Sequence, residues 1–148
     1  MDFGLSEEQE LLQETVRGFV ERECPPARLR ELFDEGAGHD PALWKGLAEM
    51  GLTGLIIPEE YGGAGMEVLD LALVCEVLGE GGLPGPFLPH SLAALALSER
   101  GSPEQKEKWL PAMALGEKIA TVAFCEEGGA WDLEGWACLL YTSPSPRA

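Results

Sequence analysis

The chain has 148 residues, 45% of them hydrophobic, enough for one domain with a real core, or for a small domain and part of a second, and too few for two full domains. Lys and Arg total 10 against 26 Asp and Glu, a formal net charge of -16, so nucleic acid and anionic lipid are repelled and a phosphate-bearing ligand would need a locally positive site. No apolar run is long enough to span a bilayer, and the acidic start MDFGLSEEQELL lacks the basic n-region of a signal peptide, which points to a soluble cytoplasmic chain without nucleic-acid or membrane partners.

Ser6-Glu7-Glu8-Gln9 has the form of a capping box and predicts a first helix, with Leu5, Leu12, Val16, Phe19 and Val20 as its inward stripe. It should end before Pro25-Pro26. A polar stretch through Arg28, Arg30 and the Gly36–Gly38 loop follows, and then Asp40-Pro41 supplies an N-cap and an N1 proline for a second helix. Leu43, Trp44, Leu47 and Met50 are its buried face, and Gly51 its stop. The apolar connector Leu52 to Ile57 has the composition of a strand but no partner strand nearby.

A third helix is expected from about Glu67, burying Val68, Leu71, Val74, Cys75 and Leu78 before the glycines at 79, 81 and 82 break it. Leu88, Leu92, Leu95 and Ala96 write a fourth, from the Pro84–Pro86 turn to Gly101. Ser102-Pro103-Glu104-Gln105 repeats the logic of cap and proline for a fifth, which should bury Trp109, Leu110 and Met113 and stop at Gly116. Only then does the pattern change: Ile119 to Phe124 is β-branched, alternating and too short for a helix, so it reads as a strand. The fold class that results is mainly α, a five-to-six-helix bundle followed by the first strand of a truncated β domain. The final Ser-Pro-Ser-Pro tail can join neither part and reads as a non-native or disordered end, or a linker.

Few residues offer chemistry of their own. Cys24, Cys75, Cys125 and Cys138 include no CxxC pair, and His39 and His90 are not at metal-ligand spacing from them, so neither a metal site nor a disulfide framework is expected. The loop IPEEYGGAGM crowds glycines as a phosphate loop does. It lacks the lysine and hydroxyl of that motif, however, and Glu59, Glu60 and Glu67 surround it, so a tight turn is the better account. The adjacent acids Glu7/Glu8, Glu59/Glu60 and Glu126/Glu127 read as solvated faces, and His90 as structural. Trp44 and Trp109 read as core, whereas Trp131 and Trp136 follow a strand in a Gly-rich segment and could flank a flat ligand.

Several blocks in order, LSEEQELLQETVRGFVERE, GLTGLIIPEEYGGAGM, GSPEQKEKWLPAMALGE and ATVAFCEEGGAWD, resemble the N-terminal part of acyl-CoA dehydrogenases. The combination of PE-x-YGG-x-G with G-S-x-E-Q-K-x-x-x-L-P is the specific part, and the likeness covers roughly residues 1 to 136. The resemblance implies an FAD-dependent oxidation of an acyl-CoA thioester to the 2,3-enoyl-CoA by homo- or hetero-oligomeric subunits. It divides the chain into a helical domain over 1–117, the start of a β domain over 118–136 and a tail over 137–148. In the family a glutamate of the C-terminal helical domain removes the α proton, so no acid here takes that role and the chain alone should be inactive. The family's flavin-side motif falls on Val122, Phe124, Cys125, Ala130 and Trp131. Cys125 stands in place of threonine, Glu127 of proline and Trp131 of a small hydroxyl residue, and a thiol is the weaker donor to a flavin. Those departures keep open a second reading, a non-catalytic helical subunit or interaction module that pairs with a competent dehydrogenase. For the acyl slot the expected residues are Phe87, Leu88, Leu92 and Leu95 on the fourth helix, with ordinary core as the competing role.

Overall fold

A computed structural model describes residues 4–123. Ser6 opens α1 (Glu7–Glu23) as its sequence requires: its hydroxyl accepts from the Gln9 amide at 3.2 Å, while its own amide donates to Gln9 Oε1 at 3.1 Å. Val16, Phe19 and Val20 are buried and Leu12 packs on the same core, but Leu5 is 38% exposed because it precedes the cap and lies off the helix. The partner of α1 is α4 (Val68–Glu80), which contributes Leu71, Val74, Val77 and Leu78. Gln9 reaches Asp70, Gln13 reaches Glu76 and Arg17 reaches Glu80. Both members of these pairs ascend in number, so the two helices run parallel and the chain between them must cross the bundle. Val68, expected inside, is 57% exposed: it is the first residue of α4, and the buried face begins two residues later at Asp70.

That crossing chain holds a helix that the polar composition of residues 25–38 conceals. Pro26 sits at the N1 position of α2 (Pro26–Asp34), so Pro25-Pro26 ends one helix and starts the next. Leu29 and Leu32 pack with Cys24, Leu43 and Leu83 in a small separate cluster. Asp40 then caps α3 (Pro41–Glu49) by accepting from the Ala42 amide at 2.8 Å. Arg28 donates to the other oxygen at 2.7 Å, and that hydrogen bond holds the Asp40 carboxyl below the usual range. Leu43, Trp44 and Leu47 face inward, as their spacing requires.

Leu52 to Ile57 is buried but is not a strand. With no neighbouring strand to pair with, it satisfies itself by i to i+3 bonds, Gly54 to Gly51 at 3.2 Å, Leu55 to Leu52 at 3.1 Å and Ile57 to Gly54 at 3.1 Å. A second 3₁₀ turn, Glu59–Tyr61, leads into the glycines. Here the loop folds back on the buried segment: the amides of Ala64, Gly65 and Met66 donate to the carbonyls of Gly54, Ile57 and Leu55 at 2.9 to 3.0 Å. Those N–H groups point inward and are occupied, which removes the donors a phosphate cradle would need.

Two more helices complete the bundle, α5 (Phe87–Arg100) and α6 (Pro103–Ala114), packed on each other. Ser102 and Gln105 form a capping box of the same kind as that of α1. At the other end Gly116, at φ +71°, closes a Schellman turn: its amide bonds the Met113 carbonyl at 3.0 Å and the Glu117 amide bonds Ala112 at 2.9 Å. Leu110 and Met113 are buried, whereas Trp109 is 42% exposed under the Lys108 ammonium, since one residue before Leu110 is about 100° around the helix. The run 119–123 has no regular structure. Its exposure alternates, with Ala120 and Val122 turned inward, but among the described residues no strand lies beside it to form a ladder. Phe124, the remainder of the expected β start and the 137–148 tail fall outside the described residues.

Gly63 is the tightest point in the loop, because a Cβ there would overlap the carbonyl oxygens of Ile57 and Gly54. Gly63→Ala is expected to cost about 1–3 kcal/mol by urea denaturation. Gly18→Ala, in the open face of α1 where a Cβ meets nothing within 4 Å, is expected to stabilise by up to about 1 kcal/mol.

Candidate functional site

The α5 helix carries the expected acyl-slot residues and also touches the exit run, at Ala120. Its inward face is Phe87, His90, Ser91 and Ala94, at helical spacings of three, four and seven. The predicted stripe lies on a flank instead: Leu88 is 50% exposed, Leu92 is 37% exposed, and Leu95 is partly buried against the main core. The reason is close packing. The side of α5 that meets the 52–57 turn and α6 has room for Ala94 and Ser91, and it needs a polar side chain for the Thr53 carbonyl, so the large apolar residues are displaced to the edge. Phe87 alone of the four is fully in the core, at 4% exposed.

Leu88 and Phe87 share a shallow apolar pocket of 210 Å³ with Cys75, Leu78 and Leu83. Leu92 extends this surface by one turn. On the opposite flank of α5, Ala93 and Leu97 join Ile57, Leu110, Met113 and Ala114 in a second cluster that also receives Ala120. Val122 follows two residues on, half-buried on the Ala120 side of the run. The exit run and the leucine flank are thus carried by two sides of one helix. Phe124, Cys125, Ala130 and Trp131 lie outside the described residues.

Between those flanks sits the residue whose role the periodicity hides. His90 is 0% exposed, its ring edge-on to Trp44 with centroids 5.0 Å apart. Its Nε2 lies 3.1 Å from the Thr53 carbonyl, and the Ala120 amide donates to its Nδ1 at 3.4 Å. A neutral ring with its proton on Nε2 satisfies both contacts. Burial pushes the His90 pKa below the ordinary histidine value, against smaller opposing effects from the Thr53 and Met113 backbones. Around it, Thr53 Oγ1 donates to the Ala114 carbonyl and Trp44 Nε1 to the Gly116 carbonyl, each at 2.8 Å. The sequence signal was present as the Phe87-His90-Ser91-Ala94 spacing, but half of that face is polar.

Other groups are committed elsewhere. A larger concavity of 540 Å³ between α1 and α3 contains Arg22, Arg28 and Lys45, yet each faces an acid, Glu23 at 2.7 Å, Asp40 at 2.7 Å and Glu49 at 3.6 Å. Burial raises the pKa of both described thiols, Cys24 and Cys75, which makes them poor nucleophiles. Among the described residues no group of three His, Cys, Asp or Glu side chains could hold a metal ion, and no helix is long and apolar enough to cross a membrane.

The two sides of α5 respond differently to substitution. Phe87→Ala is expected to cost about 3–5 kcal/mol in chemical denaturation. The double variant Leu88→Gln/Leu92→Gln should change stability by no more than about 1 kcal/mol, the sum of two small surface effects.

The profile of the acyl-CoA dehydrogenase N-terminal domain matches residues 6–117. The acyl-CoA dehydrogenase IpdE2 of Mycolicibacterium smegmatis is 44% identical over 124 residues, which cover 83% of this chain and 39% of that protein. The solved ChsE4-ChsE5 complex from Mycobacterium tuberculosis matches with a TM-score of 0.80 at 35% identity, over 88% of this chain and 36% of the solved one. An acyl-CoA dehydrogenase complexed with FAD from Bacillus anthracis matches with a TM-score of 0.70 at 32% identity, over 85% of this chain and 22% of that one. The chain therefore spans well under half the length of these relatives. It belongs to the acyl-CoA dehydrogenase family, and residues 6–117 are that family's N-terminal helical domain.

Proposed function

We propose that this chain supplies the helical wall of the acyl/flavin cleft in an FAD-dependent acyl-CoA dehydrogenase that converts an acyl-CoA to its 2,3-enoyl-CoA. The observation that carries the reading is the leucine flank of α5, exposed beside an apolar pocket in a domain of this family. Leu88 and Leu92 would lie along the acyl chain, while Phe87 and Leu95 hold the helix in the core behind them. Their work is to bind apolar carbons and exclude water from the thioester. The helical domain would run over 1–117 and the β domain would begin at 118–136.

FAD, when bound, supplies the acceptor for the hydride that leaves the β carbon. The residues present suit the ring side of such a cofactor: the 119–123 run is apolar apart from Thr121, is held at the edge of the bundle through Ala120, and turns Val122 inward so that its backbone remains available. Val122, Phe124, Cys125, Ala130 and Trp131 are the proposed contacts. The family's catalytic glutamate belongs to its C-terminal helical domain, so these residues alone would not turn over substrate.

The second reading, a non-catalytic subunit that lends its wall to a competent partner, is favoured by Cys125, Glu127 and Trp131 in place of the family's usual residues. One measurement separates the two. The protein encoded by the complete reading frame is purified and its flavin absorbance followed on adding acyl-CoAs of increasing length. Bound flavin that bleaches, with a length preference shifted by Leu92→Phe, is the expected result. Absence of flavin from the purified protein, or bound flavin that no acyl-CoA bleaches, would replace the first reading with the second.

A further inference from the structure

We propose that His90 is a positioning residue: its Nδ1 lone pair latches the Ala120 amide and so fixes where the chain leaves the helical domain, and protonation of the ring opens that latch. The relevance to flavin rests on the function proposed above, since Val122 and the other proposed contacts follow Ala120. The latch itself is a property of this chain and can be tested without a cofactor.

The argument is one of donors and acceptors. Nε2 faces a carbonyl, that of Thr53 at 3.1 Å, which can only accept, and Nδ1 faces an N–H, that of Ala120 at 3.4 Å, which can only donate. The neutral ring with its proton on Nε2 fits both. A second proton would have to sit on Nδ1, where it meets the Ala120 N–H head-on, so the imidazolium keeps Thr53 and loses Ala120. Only the Thr53 and Met113 backbones favour the charged ring, and burial outweighs them. The ring is packed against the Trp44 indole from α3, the Thr53 carbonyl from the buried turn, the Met113 backbone from α6 and Ala120, none of them charged. The other titratable ring of this group, His39, stands beyond Trp44, edge-on to it with centroids 6.4 Å apart.

The rest of the exit is anchored independently. The Gly116 carbonyl is held by Trp44, and the Glu117 and Lys118 amides both donate to Ala112. His90 therefore controls the chain from Ala120 onward and not the end of α6. The folded histidine titrates below its ordinary value, so the latch is complete above the ordinary histidine range and is lost as pH falls through the folded value.

Ring ¹⁵N shifts of His90 and amide exchange of Ala120, expressed as protection against intrinsic rates, are followed in the intact chain from about pH 7.5 to about pH 4.5. The neutral ring should carry its proton on Nε2, and Ala120 protection should fall about tenfold along the same curve as His90 protonation, while the Gly116 amide stays protected. Ala120→Pro, which deletes the donor at a site outside the helices, should raise the His90 pKa toward its ordinary value by reciprocal linkage. A proton on Nδ1 in the neutral ring, Ala120 protection independent of His90, or an unshifted His90 in Ala120→Pro would each overturn the latch. Failure of the flavin experiment with these three results intact would overturn the functional reading alone.

Discussion

Backbone that is buried without being α-helical must find hydrogen-bond partners away from water, and in this domain that requirement falls on the segment from Leu52 to Ile57 and on the last carbonyls of α6. The solution is a polar node inside an otherwise apolar interior. Thr53 donates its hydroxyl to the Ala114 carbonyl and accepts at its own carbonyl from His90, Trp44 donates its indole N–H to Gly116, and the glycine loop donates its amides to Gly54, Leu55 and Ile57. The bonds of Thr53, His90 and Trp44 join elements far apart in sequence. Together they decide how α3, α5, α6 and the exit sit relative to one another, which dispersion contacts alone, being undirected, would not specify.

The arrangement of α5 is a consequence. Once its inner face is given to His90, Ser91 and Ala94, its leucines have only the flank to occupy, and a family domain is left with an apolar edge in a chain of strong negative charge. That edge is the feature on which the proposed function rests. The glycine loop has the opposite character. It is conspicuous in sequence, yet in space it serves the interior, its amides spent on carbonyls and Gly63 pressed against two of them.

How far this was legible in the sequence depended on whether the signal was local. The capping boxes at Ser6 and Ser102, the Asp40 cap and the Gly51 and Gly116 stops are short-range chemistry, and each marks a helix end in the structure. The α2 helix was hidden because two prolines announce an end more loudly than a beginning and its exposed face is charged. The α5 face was misjudged because periodicity was counted in leucines, whereas the buried positions are an aromatic, a histidine, a serine and an alanine. Phe87 and Leu95 were placed correctly in the helix, but that Leu88 and Leu92 face outward depends on a carbonyl 35 residues or more upstream, at Thr53. No window along the chain contains that information. Trp109 fell one position off the face for the same reason that adjacent residues in a helix never share one.

The most direct measurement is the stability of Thr53→Val, a change that keeps volume and removes the hydroxyl from a residue 2% exposed. With the Ala114 carbonyl left without its donor, unfolding in urea should require about 1–3 kcal/mol less free energy at an unchanged denaturant slope. Equal or greater stability in the variant would contradict the account, because the node would then be a passenger of the apolar packing and not its organiser.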